Sequence, residues 1–459
     1  MRKYFWQSYC SFLLAVLCTS FMLASCNQAP PTNNTDSADA VSSWIQRSAL
    51  PLKTSAPGGS DTDLRPLVQK VGNATIVGLG EETHGTHEFF DMKARITEFL
   101  ITKMGFDIFI MENNWGISHL VDSYINGGQQ NIDAVLSNGL FRSWQTQEYR
   151  DMLQWMRAYN ADPAHSVKIH YIGMDSQGVS QSDFDAVENY IHIVDPQQTA
   201  HVQQLYIDII TSSVPQSKLY TVYYSLTAQT KQAYVDRAQQ VYDLLKSKQA
   251  TYEKRSSPQA FALALQNARI VVQATTYLNQ GLPSDTMKRY VQRDGFMAEN
   301  VVWIHDHIAG NNPKMIVWAH DAHIANNTSY LPAYTSPSTK NMGAYLHIQY
   351  KQGYLPIGTS LSQGTVTFYS SAYMPQIKKI DAAGKQTYNY TLGNAGPPLY
   401  MLDLRQTPAG AVTNWANCPH PFQLYGLGGE DLTSSSALKQ WFDIVVNIRN
   451  TTAAHSLLS

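Results

Sequence analysis

The chain has 459 residues, with 33 lysines and arginines against 35 acids and a formal net charge of −2. A near-neutral chain without basic runs carries no electrostatic footprint for nucleic acid. Its length suffices for one large α/β domain with an insertion. Phe, Trp and Tyr make up 11% of the chain, enough to line a pocket for a bulky apolar or glycosylated ligand as well as to fill a core.

Residues 1–25 read as an export signal. Arg2 and Lys3 form a charged start, and Phe12 to Leu23 is mostly apolar. That run is shorter than the roughly 20 residues a membrane-spanning helix needs. It ends in Leu23-Ala24-Ser25-Cys26, which resembles a bacterial lipobox and implies cleavage before Cys26 and lipidation of its thiol. Asn27 at the next position fits release to the outer membrane, so the expected location is the cell envelope, lipid-anchored on the periplasmic side. Removing Arg2 and Lys3 with the signal would leave a net charge of −4. Residues 26–45 are expected to be the lipidated cysteine and a flexible tether, of which residues 27–40 are polar, with Pro30 and Pro31 and no apolar periodicity. Cys10 and Cys18 leave with the signal, so Cys418 should be a lone structural cysteine with no intrachain disulfide.

Residues 46–459 form the expected domain. Ala74–Gly80 reads as a strand running into Glu81-Glu82-Thr83-His84-Gly85. Phe89, Met92, Ile96, Phe99 and Leu100 then recur at helical spacing, and Gly105 closes the helix. A second strand, Phe106–Met111, ends in Glu112. Helical segments follow near Ile117–Ile125 and Gln147–Tyr159, and a third strand, Val167–Met174, ends in Asp175. From about 180 to 310 strand signals vanish and long amphipathic runs take over, at Thr227–Gln249, Pro258–Leu278 and Asp285–Ile308. They predict an inserted helical bundle forming a lid or cleft wall. Strands resume at Pro313–Ala319, which runs into His320-Asp321-Ala322-His323, and at Tyr354–Ile357 before Gly358-Thr359-Ser360, then near Val366, Tyr400 and Phe442. The alternation predicts an α/β fold with a mostly parallel central sheet flanked by helices. In such sheets ligands bind outside the carboxyl ends of the strands, where these acids and histidines gather.

Glu81 and His84 share one tight turn. A histidine near its ordinary pKa can take a proton from water, and a neighbouring carboxylate can fix its tautomer. Glu112, from another strand end, is placed to hold the attacking water. His320 and His323 offer donors for an oxyanion or a leaving alkoxide, and Lys93 offers positive charge. Plainer roles exist for several of these: Glu81 as a helix cap, Lys93 on a solvated helix face, and His87, Glu88 and Asp91 favouring a helix start. There is no Gly-x-Ser-x-Gly elbow, His-Glu-x-x-His, Walker loop or dinucleotide fingerprint. Two His-x-x-His pairs, His84/His87 and His320/His323, leave a metal site open.

Taken together, the segments resemble the erythromycin esterase family. Glu81-Glu82-Thr83-His84-Gly85-Thr86-His87-Glu88 matches its Gly-Glu-x-x-His-Gly block, and Phe109-Ile110-Met111-Glu112 its second acidic strand. Trp144-x-Thr-x-Glu148 with Trp155-Met156-Arg157 matches a helix entry. Gln292-Arg293-Asp294-Gly295-Phe296-Met297-Ala298-Glu299-Asn300 is similar to the Arg-Asp-x-x-Met-Ala-x-Asn segment, and Val317-Trp318-Ala319-His320-Asp321-Ala322-His323 is the most specific match. Met342-Gly343, Gly358 and Phe442-Asp443 complete the order, so the likeness spans roughly residues 65–450. It implies a hydrolase that opens macrolide lactones such as erythromycin with activated water, without a covalent intermediate, a cofactor or a metal. His84 would be the base, assisted by Glu81 and Glu112, with His320 and His323 in the same pocket. Substrate contacts are expected from Lys93, Glu88, Trp144 and Asp175, and the partners from a small-molecule ester and, through Cys26, a membrane. The rival expectations are a metal-dependent hydrolase of another ester, and a non-catalytic lipoprotein binding haem or a cell-wall component.

Overall fold

The computed structural model describes residues 34–458 except 210–215, 281–285, 309, 311–312, 328–338 and 371–373. The export signal, Cys26 and the first part of the tether therefore lie outside the described residues. The tether itself is shorter than expected. A helix spans Asn34–Ser48, and Val41, Trp44 and Ile45 are buried in the core. Their spacing of three and one places them on one helix face, a pattern too short to stand out beside the polar residues around it. Cys418 is disulfide-bonded, where the sequence predicted a lone thiol.

The main sheet is built from β1 (Leu50–Pro51), β2 (Ile76–Leu79), β3 (Ile108–Asn114), β4 (His170–Asp175), β5 (Met315–Trp318), β6 (Tyr354–Tyr369), β7 (Pro375–Ile380), β8 (Leu399–Asp403) and β11 (Ile444–Thr451). Two short strands, β9 (His420–Phe422) and β10 (Ser434–Ser436), pair separately. The order in the main sheet is β1-β8-β11-β6-β2-β5-β3-β4, with β7 pairing to β6. From β11 through to β4 every neighbour is parallel, and the antiparallel pairs β8–β11, β1–β8 and β6–β7 lie toward one side. The expected fold class, a mostly parallel sheet between helices, is what forms.

Period-two alternation divides the strands between two cores. Val77 and Leu79, Phe109 and Met111, and Ile316 and Trp318 point to one face, where the helix His87–Met104 covers them. Ile76, Ile108, Ile110, Met315 and Val317 point to the other, beneath the helices Asn34–Ser48 and Thr286–His307. The inserted helices between β4 and β5 bring a third core of their own, with Val187, Tyr223, Val241, Tyr252 and Val271 among its buried members. Strand β6 is longer than predicted. Gly358-Thr359-Ser360 lie inside it rather than at its end, because its second half is held by β7 and β11.

Candidate active site

Four neighbouring strands, β2, β5, β3 and β4, deliver their carboxyl ends to one place. The turn after β2 carries Glu81 and His84, and β3 carries Glu112. β4 ends on Asp175, and the short helix Asp321–Ile324 after β5 carries Asp321 and His323, capped by His320. The turn sits tightly against β5. A side-chain carbon at Gly80 would fall 1.9 Å from Asp321 Oδ1, so only glycine lets the two strand ends meet. Asp321 N–H in turn donates to the Glu81 carbonyl at 2.9 Å.

His84 and Glu81 pair across the turn. The ring Nδ1 lies 3.0 Å from Glu81 Oε1, which fixes Nδ1–H as the donor and leaves the Nε2 lone pair for chemistry. The other Glu81 oxygen is ion-paired to Lys93. Burial lowers the His84 pKa to about 4, against the opposing pull of Glu112, so the ring is neutral near pH 7. Trp144 packs edge-on to it with centroids 5.0 Å apart, and His320 lies 4.9 Å away. The His84 side chain keeps 15% of its surface exposed, against 0% for Glu81, 6% for Glu112 and 10% for His323. Of these four, His84 is the one most open to a ligand.

Glu112 is held by Arg293, a residue that the inserted bundle sends in. Arg293 Nη2 donates to Glu112 Oε1 at 2.7 Å and to Asp175 Oδ2 at 2.6 Å. The other Glu112 oxygen accepts the His320 backbone N–H at 2.9 Å. Burial would raise the Glu112 pKa, but His323 and Arg293 overcome it and hold the carboxyl well below its ordinary range. His323 Nδ1 lies 2.7 Å from Asp294 Oδ1, and its Nε2 sits 3.3 Å from Glu112 Oε1 and 3.0 Å from Arg293 Nη1. Burial disfavours charge on this ring, yet Asp294 and Glu112 raise its pKa to about 10. Carboxylates at both nitrogens favour the imidazolium donating to Glu112 over a neutral ring accepting from Arg293.

Several expected roles change. His320 lies at the site, but its Nδ1 accepts Ala322 N–H at 3.1 Å and its Nε2 faces the carbonyls of Glu82 and Tyr425, each at 3.2 Å. Both nitrogens are occupied within the protein, so the ring is a strut and not a donor to substrate. Lys93 is neither on a solvated face nor a substrate contact. It is 1% exposed, lies 4.0 Å over the Trp318 ring, and burial depresses its pKa despite the nearby acids Asp321 and Glu112. Asp175 is fully buried against Arg293, and Trp144, 1% exposed, donates its indole N–H to the Glu112 carbonyl at 3.3 Å. Glu88 turns away and holds Thr452 through its backbone N–H and hydroxyl, each at 2.8 Å.

Residues not singled out for the site prove central. Arg293 and Asp294 stood in the resemblance only as a sequence block, 118 residues from Asp175 for Arg293, and nothing local tied them to the cleft. Glu82 accepts Leu361 N–H at 2.6 Å and Asn389 Nδ2 at 3.2 Å, and Asp321 accepts Thr359 N–H at 3.2 Å. Burial raises both pKa values well above the ordinary carboxyl range, and both acids brace the turn through the N–H groups that they accept.

Glu81, His84 and Glu112 are close enough to hold a metal ion between them. Lys93 and Arg293 already balance the two carboxylates there, and a further cation would face both. The cluster is better arranged for proton transfer.

The chain is similar to several known proteins. "Putative hydrolase YbfO" of Bacillus subtilis (strain 168) is 24% identical over 425 residues, covering 89% of this chain and 90% of that one. "Erythromycin esterase type II" of Escherichia coli is 28% identical over 132 residues, 29% of this chain and 30% of its own. A solved Bacillus cereus protein superposes with a TM-score of 0.81 at 32% identity, covering 91% of this chain and 99% of that one. A mutant erythromycin esterase, EreC, in its open conformation shares the fold with a TM-score of 0.67 at 16% identity, covering 85% and 94%. The family model for erythromycin esterase matches residues 101–451, from the end of the helix His87–Met104 to the strand β11. With Glu112, Arg293, Asp294, His320 and His323 all inside that span, the chain belongs to the erythromycin esterase family.

Proposed function

We propose that this chain is a carboxylic-ester hydrolase that opens macrolide lactones with water activated by His84. The observation that carries the reading is the Glu81–His84 pair: a neutral, partly exposed imidazole whose Nδ1–H is fixed 3.0 Å from a buried carboxylate. Nε2 takes a proton from water as the oxygen adds to the ester carbonyl carbon. Glu81 stabilises the imidazolium that forms, and Lys93 balances the remaining charge on Glu81. The tetrahedral oxyanion then collapses, the carbon–oxygen bond to the ring alkoxide breaks, and His84 returns its proton to that alkoxide. Glu112, pinned by Arg293 and the His320 backbone, orients the water, and the positive charge on His323, whose ring is held by Asp294 and Glu112, offsets the negative charge that develops beside it. No metal enters these steps. The anchor expected at Cys26 would display this activity on the cell envelope.

Mass spectrometry of erythromycin and of simple esters incubated with the purified protein tests the proposal. A gain of one water by erythromycin, abolished in folded His84→Asn, is the expected result. Undiminished turnover by folded His84→Asn would remove the mechanism, and hydrolysis of simple esters alone would remove the macrolide assignment. The anchor is read separately, from labelling of wild type but not Cys26→Ser with a radiolabelled fatty acid in cells.

A further inference from the structure

A second cluster of ligating side chains lies on the other side of the His84 turn. Helix His87–Met104 begins with His87, and helix Gln147–Ala161 carries Glu148 in its first turn. His455 comes from the C-terminal segment, which crosses both helix starts. There, Ala454 N–H donates to the Gly85 carbonyl and Gln147 N–H donates to the His455 carbonyl, each at 2.9 Å, and the His87 N–H donates to the Thr452 carbonyl at 3.0 Å.

The hydrogen bonding at Glu148 is lopsided. Its Oε1 faces Nδ1 of His87 and Nδ1 of His455, each at 2.7 Å, and also accepts the His455 backbone N–H at 3.1 Å. Its Oε2 is buried without a hydrogen-bond partner. Three groups therefore crowd one oxygen of a side chain that is only 3% exposed, while the other oxygen is left without one. Two imidazoles aimed through the same nitrogen at one carboxylate is the arrangement of ligands around a cation. The ligand atoms of His87, Glu148 and His455 all lie within 4.8 Å of one another. Asp91 Oδ2 stands 3.5 Å from Nε2 of His87. Without an ion, His87 Nδ1–H donates to Glu148; an ion that displaces this proton takes the Nδ1 lone pair, and Asp91 is placed to hold the proton that stays on Nε2, the usual outer partner of a ligating histidine. Among the described residues no lysine or arginine pairs with Glu148 or Asp91. This distinguishes the cluster from the one around His84.

We propose that His87, Glu148 and His455 bind one divalent transition-metal ion of the zinc type, with water completing a tetrahedral site. Two imidazoles and one carboxylate suit Zn²⁺ or Co²⁺ and not Ca²⁺ or Mg²⁺, which favour all-oxygen sites. Metal–ligand bonds of about 2.0–2.2 Å set neighbouring ligands about 3.3 Å apart, so the present contacts would open by roughly half an ångström. The His455 side chain is 66% exposed and free to make that adjustment. The ion would staple the C-terminal segment to the starts of both helices and so fix the turn that carries His84. It would be a structural ion and not a reactant.

The test is titration of tag-free, metal-stripped protein with Co²⁺, followed by visible absorption, with Zn²⁺ competition and melting temperature measured alongside. One equivalent should bind with the intense bands of a tetrahedral site, Zn²⁺ should displace it, and Zn²⁺ should raise the melting temperature. Exposed His455→Ala should keep the fold, weaken Co²⁺ binding by at least about tenfold, and lose the thermal shift. His84→Asn should bind as wild type does. Absence of binding to wild type would overturn the proposal. So would binding that survives His455→Ala, or binding lost in His84→Asn, which would move the ion to the catalytic cluster.

Discussion

Replacing Arg293 with methionine removes the cation on which two buried carboxylates depend while keeping an unbranched side chain of similar reach. Arg293 Nη2 bonds Asp175 at 2.6 Å and Glu112 at 2.7 Å, and Nε bonds the Asp175 oxygens at 3.0 and 3.1 Å. The Arg293, Asp175 and Glu112 side chains are 4%, 0% and 6% exposed, so water cannot take the place of the guanidinium. Stranding buried charge in this way costs about 3–5 kcal/mol. For a chain of 459 residues that corresponds to a melting temperature lower by on the order of 3–5 °C. The pH dependence gives a sharper reading. In the wild type Glu112 is held well below its ordinary pKa, so its contribution to stability is present above about pH 4.5 and is lost as pH falls through the depressed value. In Arg293→Met the largest influence on Glu112 is burial, which raises its pKa, with His323 and, behind it, His84 still opposing. The native variant then takes up a proton more readily than the unfolded chain, and its deficit against wild type should shrink between pH 7 and pH 5. Calorimetry and denaturant titration at both pH values measure this. A deficit below about 1 kcal/mol at pH 7, or one that grows on acidification, would refute the account of Arg293 as the shared counter-charge.

The pH profile tests His84 more directly. Because burial lowers its pKa to about 4, the acid limb of kcat/KM should fall near pH 4, with activity full above it, whereas an ordinary histidine would place that limb near 6.5. A limb at 6.5 would mean that His84 is not the group that titrates or is not buried in solution. Two glycine substitutions separate crowding from backbone strain. Gly80→Ala sets a carbon 1.9 Å from a buried carboxylate and should cost about 3 kcal/mol or more together with activity. Gly105→Ala has φ +71° with open space around it and should cost only about 1 kcal/mol, leaving kcat/KM unchanged. Equal losses at the two positions in urea unfolding would contradict the packing described.

The strands were legible because buried parallel strands are short apolar runs, and here each ended in an acid or a histidine. Ile76–Leu79, Ile108–Asn114, His170–Asp175 and Met315–Trp318 fall within one to three residues of the runs read from sequence. The helical insertion was legible from its length and from the disappearance of strand patterns. The convergence of Glu81, His84, Glu112 and His323 followed from the rule that parallel strand ends meet. What the residues alone could not convey is which neighbour each side chain chooses. Lys93 looks like any helix-surface lysine until Trp318 and Glu81 close over it. Glu88 has the sequence context of a site residue, yet its rotation around the helix sends it to Thr452. His320 and His323 are equivalent in sequence. One is consumed by backbone groups and the other by Asp294, because only a partner 29 residues away decides the outcome. The tether was misjudged for a related reason: three apolar residues make a helix face only once a core exists to receive it.

Strand β11 follows every other described strand in sequence, yet it lies inside the sheet, between β6 and β8. During synthesis β6 therefore waits with an open parallel edge, and β8 with β1 has nothing to join, until residues 444–451 have emerged. Residues 452–457, which clasp the His84 turn and the Glu148 helix, arrive later still. Closure of the sheet around the site thus waits for residues 444–457, and without them β6 and β8 would present two bare strand edges to their neighbours.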